Sequence, residues 1–162
     1  MEKTPGPYPP DLLLRLCRLA EAEPEEEVCG FVVRRGNGAL DVVPLRNVLG
    51  EEDAPGLPED RRRGYLADPV GHLRLAKRLR EEGGLLLAAY HSHVEADAYF
   101  SGVDREFALH GGGPLWPGLE YLVVSVRSGS ARELRRFSWN GQHFEGSILS
   151  LPQRENAARH PP

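Results

Sequence analysis

Leu85-Leu86-Leu87-Ala88-Ala89-Tyr90-His91-Ser92-His93 is an apolar run that closes on two histidines one residue apart, and the rest of the chain is read outward from it. The run 85–90 is too short and too unbroken in its hydrophobicity for an amphipathic surface helix, so it reads as a strand buried on both faces. His91 and His93 fall at its end. In a strand, residues i and i+2 point to the same face and lie about 6.5–7 Å apart along the chain, so two imidazoles at this spacing can converge on one ion.

Two histidines are half of a hydrolytic zinc site. Catalytic zinc takes three protein ligands and keeps a position for water, and a carboxylate serves as the third ligand. After a gap of seven residues, Ser101-Gly102-Val103-Asp104 offers one in Asp104. Ser-x-x-Asp is also a capping box, which predicts a helix from Ser101 to about His110, stopped by Gly111-Gly112-Gly113-Pro114. The two readings agree, because a helix N-terminus just after a strand is a suitable place to fix a carboxylate and a hydroxyl beside a metal. Such a site also needs a proton acceptor on a second rigid element. Glu25-Glu26-Glu27 runs into the β-rich segment Val28-Cys29-Gly30-Phe31-Val32-Val33, with Glu27 at the entrance of the strand and Glu25 and Glu26 in the solvated loop before it.

Glu27-Val28-Cys29-Gly30, joined to His91-Ser92-His93-x7-Ser101-x-x-Asp104, closely resembles the JAMM (MPN-plus) zinc metallopeptidases, specifically their small bacterial JAB-domain type, over roughly residues 8–145. The resemblance implies a cytidine-deaminase-like architecture. It also implies that His91, His93 and Asp104 bind Zn2+, that Glu27 activates the zinc-bound water, and that Ser101 stabilises the oxyanion. The implied reaction is hydrolysis of a peptide or isopeptide bond after the C-terminal Gly-Gly of a ubiquitin-like protein. Small bacterial relatives are associated with sulfur-carrier proteins, so the implied partner is the C-terminal tail of a ubiquitin-like or sulfur-carrier protein. Val94 departs from the pattern by standing where many members have proline, which alters loop rigidity without touching a ligand. At Cys29 the family places a small or sulfur-containing packing residue, with a zinc-ligand role as the lesser alternative. Two other classes share parts of this signature. Two histidines and a carboxylate also hold Fe(II) in oxygenases, and an MPN-type domain can persist as a non-catalytic scaffold.

The 162 residues suit one domain, a JAB/MPN-like metallopeptidase domain over 1–150, with a flexible tail over 151–162 rich in Pro, Asn, Arg and His. A net charge of −4 and a pI near 5.9 argue against nucleic acid as the main partner. Arg61-Arg62-Arg63 is the local exception, read as a solvated loop ahead of a substrate-gripping patch. The N-terminus lacks a basic region followed by an apolar run, and no segment approaches the ~20 apolar residues of a membrane span, so a cytoplasmic location is expected. Cys17 and Cys29 read as reduced thiols.

A first helix is predicted from Pro10 or Asp11 to about Glu21, buried through Leu12, Leu13, Leu16, Leu19 and Ala20. Strands at 28–35 and 39–45 flank the turn Gly36-Asn37-Gly38. Residues 50–63, rich in Pro, Gly and charge, form the expected mobile loop, placed to cover a substrate or to stand clear of it. Asp68-Pro69 caps and opens a second helix to about Glu82, ended by Gly83-Gly84. Residues 121–127 and 132–139 form a final hairpin about Ser128-Gly129-Ser130. The expected whole is a single-domain α/β fold, a curved mixed β-sheet flanked by helices.

Overall fold

A computed structural model describes residues 8–51 and 55–154. The elements are α1 (Pro10–Ala22), β1 (Cys29–Arg34), β2 (Leu40–Leu45), α2 (Pro69–Glu82), β3 (Leu85–Val94), α3 (Gly102–Ala108), β4 (Leu109–His110), β5 (Gly113–Pro114), β6 (Glu120–Arg127), β7 (Ser130–Trp139) and β8 (Phe144–Leu149). Six strands form one sheet in the order β2-β1-β3-β6-β7-β8, and β4 and β5 pair apart from it. Only the β3–β6 pairing is parallel, so the sheet is mixed. A parallel pair needs a crossover connection, and here the crossover between β3 and β6 carries α3 and the β4–β5 ribbon.

The alternation of strand side chains divides the core. On one face Leu12, Leu13, Leu16, Cys17 and Ala20 of α1 pack on Val32, Val42, Ala88, Tyr90, Leu122 and Val124. On the other, Phe31 and Val33 pack with Leu75 and Leu79 of α2, and Val123 and Phe137 pack with Phe100 and Ala108 beside α3. The result is a single α/β domain with helices on both faces of a mixed sheet, as expected. The capping chemistry of α2 also holds: Asp68 accepts from the N–H of Val70, and Gly83 takes the left-handed conformation at φ 76°.

Four details differ from the sequence-based expectation. The ligand strand β3 runs on to Val94, so His91 and His93 lie inside it rather than at its end; it is buried on both faces only toward that end, while Leu85 is exposed. Helix α3 stops at Ala108, because Leu109 turns to extended backbone and pairs with Pro114. A further strand, β8, extends the final hairpin into a three-stranded meander. In the loop expected to be mobile, the described residues 61–63 are tied down: Arg61 donates to the Leu49 carbonyl, its own carbonyl accepts the Glu27 N–H, and Arg62 pairs with Glu25. Arg61 also lies 3.6 Å from Glu51, so Arg61 and Arg62 are engaged with acids of their own chain. Residues 155–162 of the expected tail lie outside the described residues, as do residues 1–7 of the expected domain. Among the described residues no helix is long and apolar enough to cross a membrane.

Candidate metal centre and active site

Strand β3 is flanked by β1 and β6, with Cys29 opposite His91 and Ser125 opposite His93. This central position buries both histidines, at 1% and 5% exposure. Their side chains share a face, and the two Nε2 atoms stand 3.2 Å apart. Asp104 arrives from the first turn of α3 and places Oδ2 3.3 Å from His91 Nε2 and 3.8 Å from His93 Nε2. Two ligands at about 2.0–2.1 Å from a tetrahedral zinc lie about 3.3 Å apart. The three observed separations bracket that value, so the donor set fits a metal ion of this kind; all three ligand atoms lie within 4.8 Å of one another.

The capping box delivers the carboxylate. Ser101 Oγ accepts the N–H of Asp104 at 3.0 Å, and Asp104 Oδ2 accepts the N–H of Ser101 at 2.9 Å. Helix cap and candidate ligand are thus the same side chain. His93 Nδ1 lies 2.7 Å from the Asp97 carbonyl, and a proton donated there leaves the Nε2 lone pair facing the other two ligand atoms. His91 is held by packing, its ring stacked on Tyr65 at 4.7 Å between centroids.

Glu27 lies just before β1 and is 6% exposed. Its main chain is held on both sides: its N–H donates to the Arg61 carbonyl at 2.8 Å, and its carbonyl accepts from the Asn47 side chain at 3.0 Å. The next residue is tied to the ligand strand, since the N–H of Val28 donates to Ser92 Oγ at 2.9 Å and the N–H of Ser92 to the Val28 carbonyl at 3.0 Å. Ser92 alternates away from the histidines, and that is how it reaches the strand carrying Glu27. Asn47, Tyr65 and Ser92 escape the sequence reading. Ser92 alone left a local signal, its place between two residues assigned to one face. Gly30, the last residue of the Glu27-Val28-Cys29-Gly30 run, is glycine for a steric reason: a Cβ there would meet the Val43 carbonyl at 2.3 Å and the Tyr90 ring at 2.7 Å.

The electrostatics separate the two carboxyls. Burial pushes Glu27 up to about 8, with the charge of His93 opposing and that of Asp104 adding. Burial also acts to raise Asp104, but the His91 charge and hydrogen bonds from His91, His93 and the Ser101 N–H outweigh it, and the carboxyl falls far below the usual range. One carboxylate stays ionised while its neighbour can carry a proton near neutrality, the pattern that divides acid–base work from charge stabilisation. For His93, burial lowers the pKa, and the bonds to Asp104 and the Asp97 carbonyl with the Glu27 charge overcome it, for a net rise. Cys29 is pushed up to about 12, by burial first and then by Glu27, and its thiol donates toward the Leu45 carbonyl. It acts as a packing residue and stands outside the convergent group.

Glu27, His93, Ser101 and Asp104 line a cleft of about 710 Å³ between the segments 57–67 and 94–107, with Tyr65, Tyr99 and Phe107 on its walls. His93 and Asp104 of the candidate ligand group face this cleft with a carboxyl of raised pKa and a hydroxyl, a donor set that suits metal-assisted hydrolysis on a mixed α/β sheet.

Residues 9–140 match the family of prokaryotic homologs of the JAB domain, and the chain belongs to that family. It is a hydrolase of the JAB-domain class. It is similar to Desampylase from Haloferax volcanii, with 28% identity over 125 residues that cover 77% of this chain and 78% of the relative. The solution structure of a protein from Desulfitobacterium hafniense shares the fold, with a TM-score of 0.61 and 21% identity over 86% of this chain and 88% of that one.

Proposed function

We propose that the chain is a zinc-dependent isopeptidase or peptidase that cleaves after the C-terminal Gly-Gly of a ubiquitin-like or sulfur-carrier protein. The observation that carries this reading is the convergence of His91, His93 and Asp104, the last two of which line the same cleft as Glu27. The similarity to Desampylase supports a ubiquitin-like modifier as the substrate class.

His91, His93 and Asp104 would hold zinc, which supplies Lewis acidity and lowers the pKa of water from about 15.7 to about 7. Glu27 takes the proton of the attacking water on its carboxylate and gives it to the leaving amine, a role suited to a carboxyl pushed up to about 8. Ser101 Oγ accepts from the Asp104 N–H, so its own proton is free to donate to the substrate carbonyl oxygen. One such donor contributes about 3–4 kcal/mol in other hydrolases.

The cleft wall suits an extended tail. Main-chain groups of Gly64, Leu66 and Asp68 are bonded to residues 46–48. Among the described residues, the main-chain groups of the alternate residues Tyr65 and Ala67, both on the cleft wall, take no main-chain partner, which suits a tail added as a further strand. The proposed specificity requires close walls at that strand, which admit glycine and exclude larger side chains. A Gly-Gly to Ala-Ala change in the tail is expected to abolish cleavage, and undiminished turnover would count against the narrow groove.

The decisive experiment follows hydrolysis of a Gly-Gly-extended sulfur-carrier protein by mass spectrometry in wild type, Glu27→Gln and chelator-treated enzyme, with bound metal quantified in each. Cleavage lost on chelation and in a zinc-retaining Glu27→Gln is the expected result. A wild type that carries one zinc per chain and leaves every Gly-Gly extension intact would overturn the substrate assignment.

A further inference from the structure

The chain leaves β3 at Val94, whose side chain imposes no ring constraint on the backbone, and turns through Glu95 at φ 52°, a left-handed conformation that residues other than glycine disfavour. Residues 95–97 are nevertheless fastened one by one to the end of β6 and the turn after it. The N–H of Glu95 donates to the Val126 carbonyl at 2.8 Å, and the Glu95 carboxylate accepts the Ser128 N–H at 2.6 Å. Ser125 Oγ donates to the Ala96 carbonyl at 2.6 Å. Arg127 spans the loop, donating to the Glu95 carbonyl at 3.2 Å and to Asp97 Oδ1 at 2.6 Å. The product of this fastening is the Asp97 carbonyl, aimed at His93 Nδ1 from 2.7 Å.

We propose that Ser125 and Arg127 are positioning residues for the metal centre, which clamp the 95–97 loop so that the Asp97 carbonyl accepts a hydrogen bond from Nδ1–H of His93 and leaves Nε2 free for the metal. Ser125 is the stronger of the two. It is 1% exposed, it is the register partner of His93 on the adjacent parallel strand, and its bond to Ala96 is part-buried. Arg127 is half-exposed and its pairing with Asp97 is open to water, so its share is smaller. A neutral imidazole carries its proton on either nitrogen, and the hydrogen bond of one nitrogen decides which is free to ligate. Partners that orient a ligand histidine in this way are worth about 10–100-fold in metal affinity.

The inference rests on the reading of His91, His93 and Asp104 as a metal site, and two measurements separate their failures. The His93 tautomer is read in metal-free protein from ring nitrogen chemical shifts at alkaline pH, and zinc affinity from competition with a chelating dye. Wild type is expected to hold the Nδ1–H form. Ser125→Ala is expected to show mixed tautomers and about tenfold weaker zinc binding, Ser125→Thr to restore both, and Arg127→Gln to shift both in the same direction by a smaller factor. An Nε2–H form in wild type, or a folded Ser125→Ala with the wild-type tautomer and affinity, overturns the proposal. If Ser125→Ala fails to fold, the surface variant Arg127→Gln decides by the same two readouts. Wild type that holds the Nδ1–H form, loses it in these variants and yet binds no zinc keeps the clamp and removes the metal reading.

Discussion

The side-chain amide of Asn47 donates to the main-chain carbonyl of Glu27 at 3.0 Å, and with its second proton to that of Gly64 at 3.2 Å. Its oxygen accepts the N–H groups of Leu49 and Leu66, both at 3.1 Å. Every donor and acceptor position of the amide is thereby used. One side chain joins the segment that carries Glu27, the exit of β2 and the 64–66 wall of the cleft.

Asn47→Ala is expected to cost about 2 kcal/mol of stability, given about 1 kcal/mol net per hydrogen bond and a site only part-buried. It should lower kcat far more than zinc affinity, because Glu27 loses its tether while His91, His93 and Asp104 keep theirs. Denaturant unfolding, steady-state kinetics and metal titration check this, and an unchanged kcat in the folded variant would sink it.

The stability of the metal-free protein should fall as pH rises from about 5 to about 8. Glu27 moves from 4.5 to about 8 on folding, so across that window the native state binds more protons than the unfolded chain. His93, also raised, stabilises most when protonated and adds to the same loss as pH climbs. Glu27→Gln should flatten the slope. Urea unfolding at a series of pH values measures it, and an identical slope in the variant would show that Glu27 titrates elsewhere.

Zinc at about one hundred times its dissociation constant should stabilise wild type by about 2.7 kcal/mol. Asp104→Asn keeps an oxygen to accept the Ser101 N–H, so the metal-free variant should melt close to wild type, while the gain on adding zinc is lost. Thermal melts with and without the metal give both numbers. A full zinc response in this variant would remove Asp104 from the ligand set.

Ser101→Ala removes a helix cap and a hydrogen-bond donor together. A stability loss of about 1 kcal/mol is expected from the cap, and a fall in kcat of about 10²–10³ from the donor. Calorimetry and single-turnover kinetics separate the two effects. Loss of stability with kcat intact would reduce Ser101 to its capping role.

Much of this was legible locally. The apolar run into His91 and His93, the Ser101–Asp104 box, and the Asp68-Pro69 start with its Gly83-Gly84 stop each carry their meaning within a few residues. Strand β8 was not legible, because Gly146 interrupts its pattern. In the folded chain that glycine is required, since a Cβ there would meet the Phe137 ring at 2.8 Å. The end of α3 was missed for a similar reason: the Leu115 N–H donates to the Ala108 carbonyl, and that turn of the chain is set by packing rather than by helix propensity.

The sequence by itself determined the donor types, their spacing on one strand, the capping of the helices and the two-residue periodicity that turns Ser92 away from the histidines. Tertiary structure decided how near Glu27 comes to the ligands, which tether holds it, and what fastens the loop beneath His93. Val28 and Ser92, which join the two halves of the site, are 64 residues apart. Periodicity and capping act over one or two turns of chain, whereas the separation of two strands follows from how every intervening side chain packs, and no local pattern encodes that distance.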